Sequence, residues 1–399
     1  MHILVINSGS SSIKFSLFDS GEGEPRSLFE GEVAGIGTEK PGFSFRDAGG
    51  RSLLDEGSAV KAGSSLEAIG LVVGAVSRAG LPKVDAVGYR VVHPGAKLDR
   101  HQRITDAVLK DLEEAVVFAP LHDPGAIEVI REMMEKFPGV GHYACFDTVF
   151  HETMPEAAAT YAIPVEYRER GVRRYGFHGL SCESIVRQMR GEGVPRRLVI
   201  AHLGSGCSVT ALVEGRSVDT TMGLTPTGGV VMGTRPGDLD PGVVLYLLRQ
   251  VEGDKAAAIS AVEGMMNHAA GMVALTGMPN DMKAVREAAA KGDARALLAV
   301  EVFTRCTRKA IGGFAWLMGG LDAIVFAGGI GEHDEASRAE ILAGLEGLGI
   351  LMDARLNAAK EKVGRRISAS ESLTKVLVVP SEEDRMIAVH VERLARAAT

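Results

Sequence analysis

The chain alternates between short apolar runs and polar, glycine-rich turns, and one such combination occurs twice. Residues 3–6 (ILVI) form an apolar run that a polar glycine turn follows at 7–12, and the next residues alternate in polarity as a strand does. Residues 198–201 (LVIA) open the same succession, with a turn at 202–206 and two alternating stretches joined at a Glu-Gly bend. Each half of the chain is therefore predicted to open on a β-hairpin.

A fixed spacing relates the two halves. Gly9 in the first turn overlies Gly206 in the second, an offset of 206 − 9 = 197 residues, roughly half of the chain. A weaker pair, VDAVGYRVVHPG at 84–95 and LDAIVFAGGIGE at 321–332, places an apolar strand before a loop in each half. Internal similarity at this spacing predicts two similar lobes. Because both hairpin turns could hold phosphate, it also suggests one nucleotide cleft between the lobes.

Helices are predicted between the strands from their capping and stop signals. The predicted helix starts are, in order, Ser64 or Ser65, Thr105, Asp123 with Pro124, Ser181, Asp240 with Pro241, and Ser381 with Asp384. Residues 283–318 are predicted to be mostly helical, and GGIGE at 328–332 to be a glycine turn after a strand. Interleaved strands and helices predict the α/β class.

Composition narrows the class of protein further. A chain of 399 residues is long for one core, so two domains are expected, with a boundary near residue 150. The net charge of −7 comes without a Lys/Arg cluster, which excludes a nucleic-acid partner. Four scattered cysteines without a CxxC spacing indicate a reducing cytoplasm rather than zinc or disulfides. The sequence shows no signal peptide and no apolar run long enough to cross a membrane.

Candidate chemistry concentrates in residues 196–242. The turn at 202–206 follows a strand, and its glycines allow the backbone N–H groups to approach an anion. Arg235, in a loop rich in glycine and proline, adds a planar cation suited to carboxylate or phosphate. The alternative interpretation of this stretch is a surface hairpin followed by a loose loop, and the second copy near the N-terminus favours the phosphate-binding one.

Nine segments together resemble the acetate kinase family, and they follow one another from residue 3 to about 390. They are NSGSSSIK (7–14), RVVH (90–93), APLHDP (119–124), FDTVFHETMP (146–155), RRYGFHG (173–179), HLGSG (202–206), SVDTTMGLTPTGGVVMGTRPGDLDP (217–241), GGIGE (328–332) and SEED (381–384). The resemblance implies the acetate and sugar kinase/Hsp70/actin fold, which is ribonuclease H-like, as two duplicated lobes around a nucleotide cleft. The expected lobes are 1–149 with 385–399, and 150–384.

The activity that the resemblance implies is ATP- and Mg²⁺-dependent phosphoryl transfer to acetate, or another short-chain carboxylate, giving an acyl phosphate and ADP. Mn²⁺ is expected to substitute for Mg²⁺. The protein is expected to be a cytoplasmic homodimer with its dimer contacts in the C-terminal lobe. Such a substrate is already ionised at pH 7, so the site needs charge neutralisation and positioning more than a strong base.

The family's positions assign the catalytic and metal residues. Arg90 and Arg235 are expected to bind the carboxylate and the transferring phosphoryl group, and His178 to donate to the phosphoryl oxygens. The residue expected to orient an arginine or a metal-bound water is Asp147. The magnesium positions fall on Asn7 and Glu383, whose oxygen atoms are ligands that Mg²⁺ prefers.

The same positions assign the substrate contacts. The residues expected to form a small apolar pocket for the acyl group are Val92, Leu121, Phe177 and Pro226. Those expected to contact ATP are Lys14, His202, Leu203, Gly204, Ser205, Gly206, Asp281, Met282, Lys283, Gly329, Ile330, Gly331 and His333.

The chain departs from the family pattern near the nucleotide. The family usually has Asn at Ser205, Arg at Lys283 and Asn at His333, Thr-Ser-His where 180–182 reads Leu-Ser-Cys, and Leu-Glu-Gly where 227–229 reads Thr-Gly-Gly. Three alternatives to an acetate kinase remain: a propionate-preferring kinase, a pyrophosphate-dependent kinase, and a non-catalytic nucleotide-binding module of the same fold. The glycines at 329 and 331 argue against the pyrophosphate alternative, because bulk there would be needed to block adenosine.

Overall fold

The computed structural model describes residues 1–9, 12–21, 23–54, 60–78, 80–118, 123–360 and 364–397. Contacts divide the chain into two compact units. The first comprises 1–149, 179–184 and 382–399, and the second comprises 150–178 and 185–381. These units differ from the predicted lobes in two short segments, since 179–184 and 382–384 belong to the first unit.

The first unit is built on a seven-stranded sheet. Its strands are β1 (His2–Ser8), β2 (Ser12–Asp19), β3 (Arg26–Ala34), β4 (Gly42–Asp47), β5 (Ala86–Val91), β6 (Gln102–Arg103) and β7 (Gly141–Phe146), in the order β4-β3-β2-β1-β5-β7-β6. Its helices are α1 (Ser65–Val76), α2 (Asp106–Ala115) and α3 (Asp123–Lys136), with a 3-10 turn at Val116–Phe118. The C-terminal helix Glu383–Ala397, which becomes α15 in chain order, also belongs here.

Alternation along β1 gives this sheet two covered faces. Leu4 and Ile6 join the core under α1, α2 and α3, whereas Ile3 and Val5 join a second core beneath α15. Successive side chains of a strand point to opposite faces, so a continuous apolar run such as ILVI fits a strand that is buried on both sides.

The second unit repeats this plan. A six-stranded sheet has the order β10-β9-β8-β11-β13-β12, from β8 (Arg197–Leu203), β9 (Cys207–Val213), β10 (Arg216–Thr220), β11 (Ala323–Ala327), β12 (Arg365–Arg366) and β13 (Lys375–Val378). Four helical elements precede this sheet in sequence: a 3-10 helix (Val149–Thr153), α4 (Glu156–Ala159), α5 (Val165–Arg168) and α6 (Gly179–Met189). The 3-10 helix and α6 each cross the boundary between the two units.

Most helices of the second unit lie between β10 and β13 in sequence. They are α7 (Pro241–Gln250), α8 (Lys255–Gly264), a π-helical turn (Met265–Ala269), α9 (Gly271–Thr276), α10 (Met282–Ala290), α11 (Ala294–Leu317), α12 (Gly328–His333), α13 (Glu335–Leu342), a 3-10 turn (Glu346–Leu348) and α14 (Ala354–Ala358).

Strand pairing confirms the duplication. The hairpin β1–β2 is antiparallel and β1 pairs with β5 in parallel, just as β8 pairs with β9 and with β11. The next hairpin bends at Glu214 and Gly215, both with positive φ (53° and 77°), as the twist of paired strands favours. The predicted α/β class with two similar halves is therefore correct. Within the described residues, no helix is both long enough and apolar enough to cross a bilayer.

Two local predictions are wrong. Ser181 does not cap a helix, because α6 begins two residues earlier and its N-cap is His178, in the left-handed region (φ 59°, ψ 27°). The GGIGE stretch is not an open turn, because 328–333 form a short helix after β11. The carboxylate of Glu332 accepts the Gly328 N–H at 3.1 Å and holds the first turn of this helix.

Glycine substitutions test how closely α15 packs on the first sheet. A Cβ on Gly88 of β5 would lie 2.6 Å from Val391 and 2.7 Å from Ile387. We expect Gly88→Ala to lower the free energy of unfolding by about 1–3 kcal/mol through overpacking. Gly70→Ala, exposed in α1 with nothing within 4 Å, should instead raise it by roughly 0.5–1 kcal/mol. Thermal unfolding measures both, and equal melting temperatures for the two variants would contradict this packing.

Candidate active site

Arg90 is the centre of a charged cluster in the first unit. It is the next-to-last residue of β5, and its Nε donates to both carboxylate oxygens of Asp147 at 3.0 Å. Nη2 donates to the same carboxylate, and Nη1 donates to Asn7 Oδ1 at 3.3 Å. Glu383 Oε2 lies 3.8 Å from Nη1. Three chain segments that the sequence separates thus meet at one guanidinium.

Burial and neighbouring charge fix the ionisation of this cluster. The Asp147 side chain is 1% exposed and that of Arg90 21%. Burial alone would lower the pKa of Arg90, but the charges of Asp147 and Glu383 outweigh that effect and raise the pKa above its ordinary value. The guanidinium is therefore a fixed cation, and Nη1 is the part of it that faces the other predicted site residues.

Oxygen donors gather beside this cation. Asn7 pairs across the hairpin with Lys14, which is exposed. At the start of α15, Glu383 is followed by Asp384, whose Oδ2 accepts from Ser16 at 2.7 Å. Burial is the main reason that the pKa of Asp384 is raised. An amide oxygen and a carboxylate on either side of Arg90 Nη1 are hard ligands, so this donor set fits Mg²⁺, which keeps several waters and takes few protein ligands.

Asp123 lies near Asp147, although the sequence interpretation named it only as a helix start and as part of the APLHDP segment (119–124), without a role in the site. It opens α3, is buried, and accepts the backbone N–H of His93 at 3.4 Å. Burial, together with the charge of Asp147, raises the pKa of Asp123 to about 8. No hydrogen-bond partner of its Oδ2 occurs among the described residues. Its carboxyl group is therefore largely protonated at neutral pH, and a burial signal of this kind is invisible in the sequence.

In the second unit, the predicted phosphate turn joins β8 to β9. The Gly204 N–H donates to the Gly206 carbonyl at 3.0 Å, which closes the turn tightly. No described residue accepts a hydrogen bond from the amide of Ser205 or Gly206. Those two N–H groups therefore have no acceptor within the described part of the chain, and anion binding by them stays a prediction.

His178 and Arg235 both lie close to this turn. A Cβ placed on Gly206 would be 3.4 Å from His178 Nε2 and 3.6 Å from Arg235 Nη1. His178 is buried and its Nδ1 pairs with Ser208 Oγ at 2.9 Å, which leaves Nε2 on the side of the turn. Its ring stacks on His202 with centroids 4.1 Å apart. Arg235 donates from Nη1 to the Pro226 carbonyl at 3.0 Å.

The predicted nucleotide contacts fall on two further segments of the second unit. Asp281, Met282 and Lys283 form the start of α10, and Gly329, Ile330, Gly331 and His333 lie in α12. A Cβ on Gly329 would meet nothing within 4 Å, whereas one on Gly328 would crowd the Leu203 carbonyl at 2.8 Å and His202 at 3.1 Å. The start of α12 thus lies against the phosphate turn.

Two arginines that the sequence interpretation did not single out hold these segments. Arg286 of α10 pairs with Asp334 at 3.1 Å and with Glu340 at 2.7 Å, so α10 is joined to the residues that follow α12. The other arginine, Arg338, is 1% exposed and donates to the Gly331 carbonyl at 2.8 Å. Desolvation lowers the pKa of Arg338 to about 10, which still leaves it charged at neutral pH. Both contacts fix the backbone at the predicted adenosine positions.

The predicted acyl pocket is only partly described. Val92, half-buried, follows β5 in the first unit, and Leu121 lies outside the described residues. Phe177 and Pro226 are buried in the second unit, where the Phe177 carbonyl pairs with His151 Nε2 at 2.9 Å. The grouping of these four residues in one pocket stays a prediction.

A second set of metal-ligand types lies in the first unit, at His101, Glu183 and His390, with one ligand atom of each within 4.8 Å of the others. The Nδ1 atoms already accept hydrogen bonds, His101 from the Phe146 N–H at 3.0 Å and His390 from Arg393 at 3.3 Å. Each neutral ring therefore carries its proton on Nε2, and that of His390 donates to Glu183 at 2.7 Å. Protonated nitrogens beside a cation do not suit a metal, so we interpret this cluster as a hydrogen-bonded network.

Two sheets of the same plan, a guanidinium fixed by a buried carboxylate, and a glycine turn with exposed amides are features that suit a phosphotransferase. Residues 2–389 match the family model described as the acetokinase family. The chain belongs to this family, as the sequence motifs predicted.

Individual relatives agree over nearly the full length. The acetate kinase of Anoxybacillus flavithermus is 40% identical over 407 aligned positions, which cover 99% of each chain. Among solved structures, Porphyromonas gingivalis acetate kinase has a TM-score of 0.85 at 31% identity and covers 99% of each chain. A propionate kinase from Francisella tularensis has a TM-score of 0.89 at 35% identity, covering 98% of this chain and 99% of its own. The predicted fold class and the predicted kinase activity are confirmed.

Asp123 gives a pH-dependent prediction for stability. An unfolded chain would lose the Asp123 proton near its ordinary pKa of 3.8, whereas the folded chain keeps it up to about pH 8. Rising pH between these values therefore favours the unfolded state, by on the order of 1 kcal/mol for each pH unit. We expect Asp123→Asn to match the native chain in melting temperature at pH 4 and to exceed it increasingly up to pH 8.

Asp106→Asn is the matched control, because Asp106 also opens a helix but is exposed. Its melting temperature should follow that of the native chain across the same pH range. If the difference caused by Asp123→Asn were constant from pH 4 to pH 8, the proposed protonation of Asp123 would be wrong.

Proposed function

We propose that the protein transfers the γ-phosphoryl group of ATP to acetate by direct, in-line displacement, giving acetyl phosphate and ADP. The observation that carries the proposal is the Arg90 cluster, in which a carboxylate locks a cation beside hard oxygen donors. The family match and the relatives named acetate kinase favour this activity over the pyrophosphate-dependent, propionate-preferring and non-catalytic alternatives.

The reaction needs no proton transfer. A carboxylate oxygen of acetate forms a bond to the γ-phosphorus while the bond from that phosphorus to the bridging oxygen of ADP breaks. Both reactants are anions, so the barrier is dominated by charge repulsion and alignment. We assign Arg90 to the carboxylate. The orientation of the Arg90 guanidinium depends on Asp147, so Asp147 acts as an orienting residue and not as a base.

The second unit supplies the donors for the phosphoryl group in this proposal. His178 Nε2 and Arg235 Nη1 both lie close to Gly206, so in this proposal both contact an anion bound at that turn. The hydrogen bond between Ser208 Oγ and His178 Nδ1 keeps the imidazole in one orientation. Removing one such preorganised donor typically costs about 10²–10³ in rate.

We assign Mg²⁺ to Asn7 and Glu383, with Mn²⁺ as a substitute. When bound, the ion would neutralise phosphate oxygens of ATP. Glu383 is the residue whose charge matters most here, because Asn7 contributes a neutral oxygen. The adjacent Asp384 accepts a hydrogen bond from Ser16, so we assign it a structural role and not metal binding.

Two further properties belong to the proposal. None of the four cysteines, all of which the structure describes, is in a disulfide, which suits the reducing cytoplasm. We also propose a homodimer through the second unit. Helix α7 has no buried residue although it reads PGVVLYLLRQ, and Leu245 and Tyr246 are 52% and 59% exposed. An apolar helix without a buried side chain indicates a covered surface in the assembled protein, and we assign a second copy of this chain to it.

Hydroxylamine trapping tests the reaction. The protein with Mg²⁺ and ATP should yield hydroxamate from acetate, with propionate and butyrate giving lower kcat/KM, and pyrophosphate should not replace ATP. Arg235→Ala should lower kcat/KM by about 10²-fold or more, whereas Arg196→Ala, a 76% exposed arginine of the same unit, should leave it unchanged. A native protein that forms no hydroxamate from any of the three acids would rule the proposal out.

The dimer is tested separately by sedimentation. The native chain should sediment as a dimer, and Leu245→Asp with Tyr246→Asp should sediment as a monomer, because two buried charges would oppose association. Leu66→Asp, a 51% exposed leucine of the first unit, is the control and should stay dimeric. A native chain that is monomeric at micromolar concentration would contradict the assignment.

A further inference from the structure

Asn280 brings a carboxamide to the phosphate turn of the second unit. Its Nδ2 donates to Ser205 Oγ at 2.7 Å, although 75 residues separate the two in the chain. Both residues are exposed, so a ligand at the turn can reach them. No motif in the sequence analysis pointed to Asn280.

The backbone around Asn280 leaves it little freedom. On one side, Asp281 caps α10, and its own N–H donates to the Pro279 carbonyl at 2.7 Å. On the other side lies Gly233, where a Cβ would overlap the outer atoms of the Asn280 side chain. The Gly233 N–H also donates to the Ser205 carbonyl at 3.1 Å. Glycine at 233 therefore leaves room for the Asn280 carboxamide, and its N–H joins the loop around residue 233 to the phosphate turn.

The hydrogen bond sets the direction of the Ser205 hydroxyl. Because Oγ accepts from Asn280, its own hydrogen must point elsewhere, and no acceptor for it occurs in the described part of the chain. Acceptance from an amide also strengthens the hydroxyl as a donor. With the amides of Ser205 and Gly206, the turn then offers three donors to one anion.

We propose that Asn280 is a positioning residue for the polyphosphate of the nucleotide, acting through the Ser205 hydroxyl. The proposal deepens the function proposed above and rests on it. It also explains how the turn works with serine at position 205, where the family usually has asparagine: the carboxamide comes from the loop before α10. Asn280 acts on the nucleotide and not on the carboxylate substrate, which Arg90 of the first unit binds.

Substrate-specific kinetics test this role. Asn280→Ala should raise the KM for ATP about 3- to 10-fold, the effect of one hydrogen bond, with the KM for acetate within twofold and the melting temperature unchanged. In a Ser205→Ala background, Asn280→Ala should have no further effect on the KM for ATP, because no hydroxyl remains to orient. Glu287→Ala, exposed on α10, is the control and should change neither KM.

The outcomes separate this inference from the proposed function. If the native protein forms no acetyl hydroxamate, the proposed function fails, and calorimetric binding of MgATP to the same variants then decides the role of Asn280. If the native protein is active and Asn280→Ala leaves the KM for ATP unchanged, the inference is wrong. The inference would also be wrong if Asn280→Ala raised the KM for ATP as much in the Ser205→Ala background as in the native chain. It would likewise be wrong if Asn280→Ala raised the KM for acetate as much as the KM for ATP.

Discussion

The ion pair between Arg90 and Asp147 is the constraint on which the charged cluster of the first unit depends. A buried carboxylate is unfavourable without a partner, and a buried guanidinium equally so, but each satisfies the other through parallel hydrogen bonds. The backbone of Asp147 also takes part: its N–H donates to the Val91 carbonyl at 3.2 Å and its carbonyl accepts from Gly179 at 2.8 Å. One residue thus fixes the end of β5, the start of α6 and the direction of the cation.

The Arg235 loop of the second unit depends on close backbone approach more than on charge. A Cβ on Gly271 would overlap the Met232 carbonyl and lie within 2.8 Å of the Arg235 backbone. The loop that carries Arg235 can therefore pack against α9 only because this position is glycine, and its positive φ of 64° points to the same residue. The loop is held rigidly because glycine has no side chain and lets the main chain pack closely against its neighbours. The same property allows the main chain to approach an anion.

Sequence patterns predicted the parts of the fold that local chemistry determines. The hairpins, the caps at Ser64 and Asp240, and the repeat of one plan in both halves all follow from periodicity and turn residues. The start of α6 could not be predicted, because a left-handed histidine replaced the usual serine cap. Asp123 and Asn280 were missed for another reason: a buried carboxyl group and a contact across 75 residues exist only once the chain has folded.

The first unit is assembled from three separate stretches of the chain, and the last of them is the C-terminal helix. During synthesis, the strands of this sheet emerge early, yet the apolar face that Ile387 and Val391 cover stays bare until the whole second unit has been made. Contacts that span almost the whole chain are slow to form, and a bare sheet face invites association with other chains. Removal of α15 would expose this face of the sheet and would also remove the segment that carries Glu383.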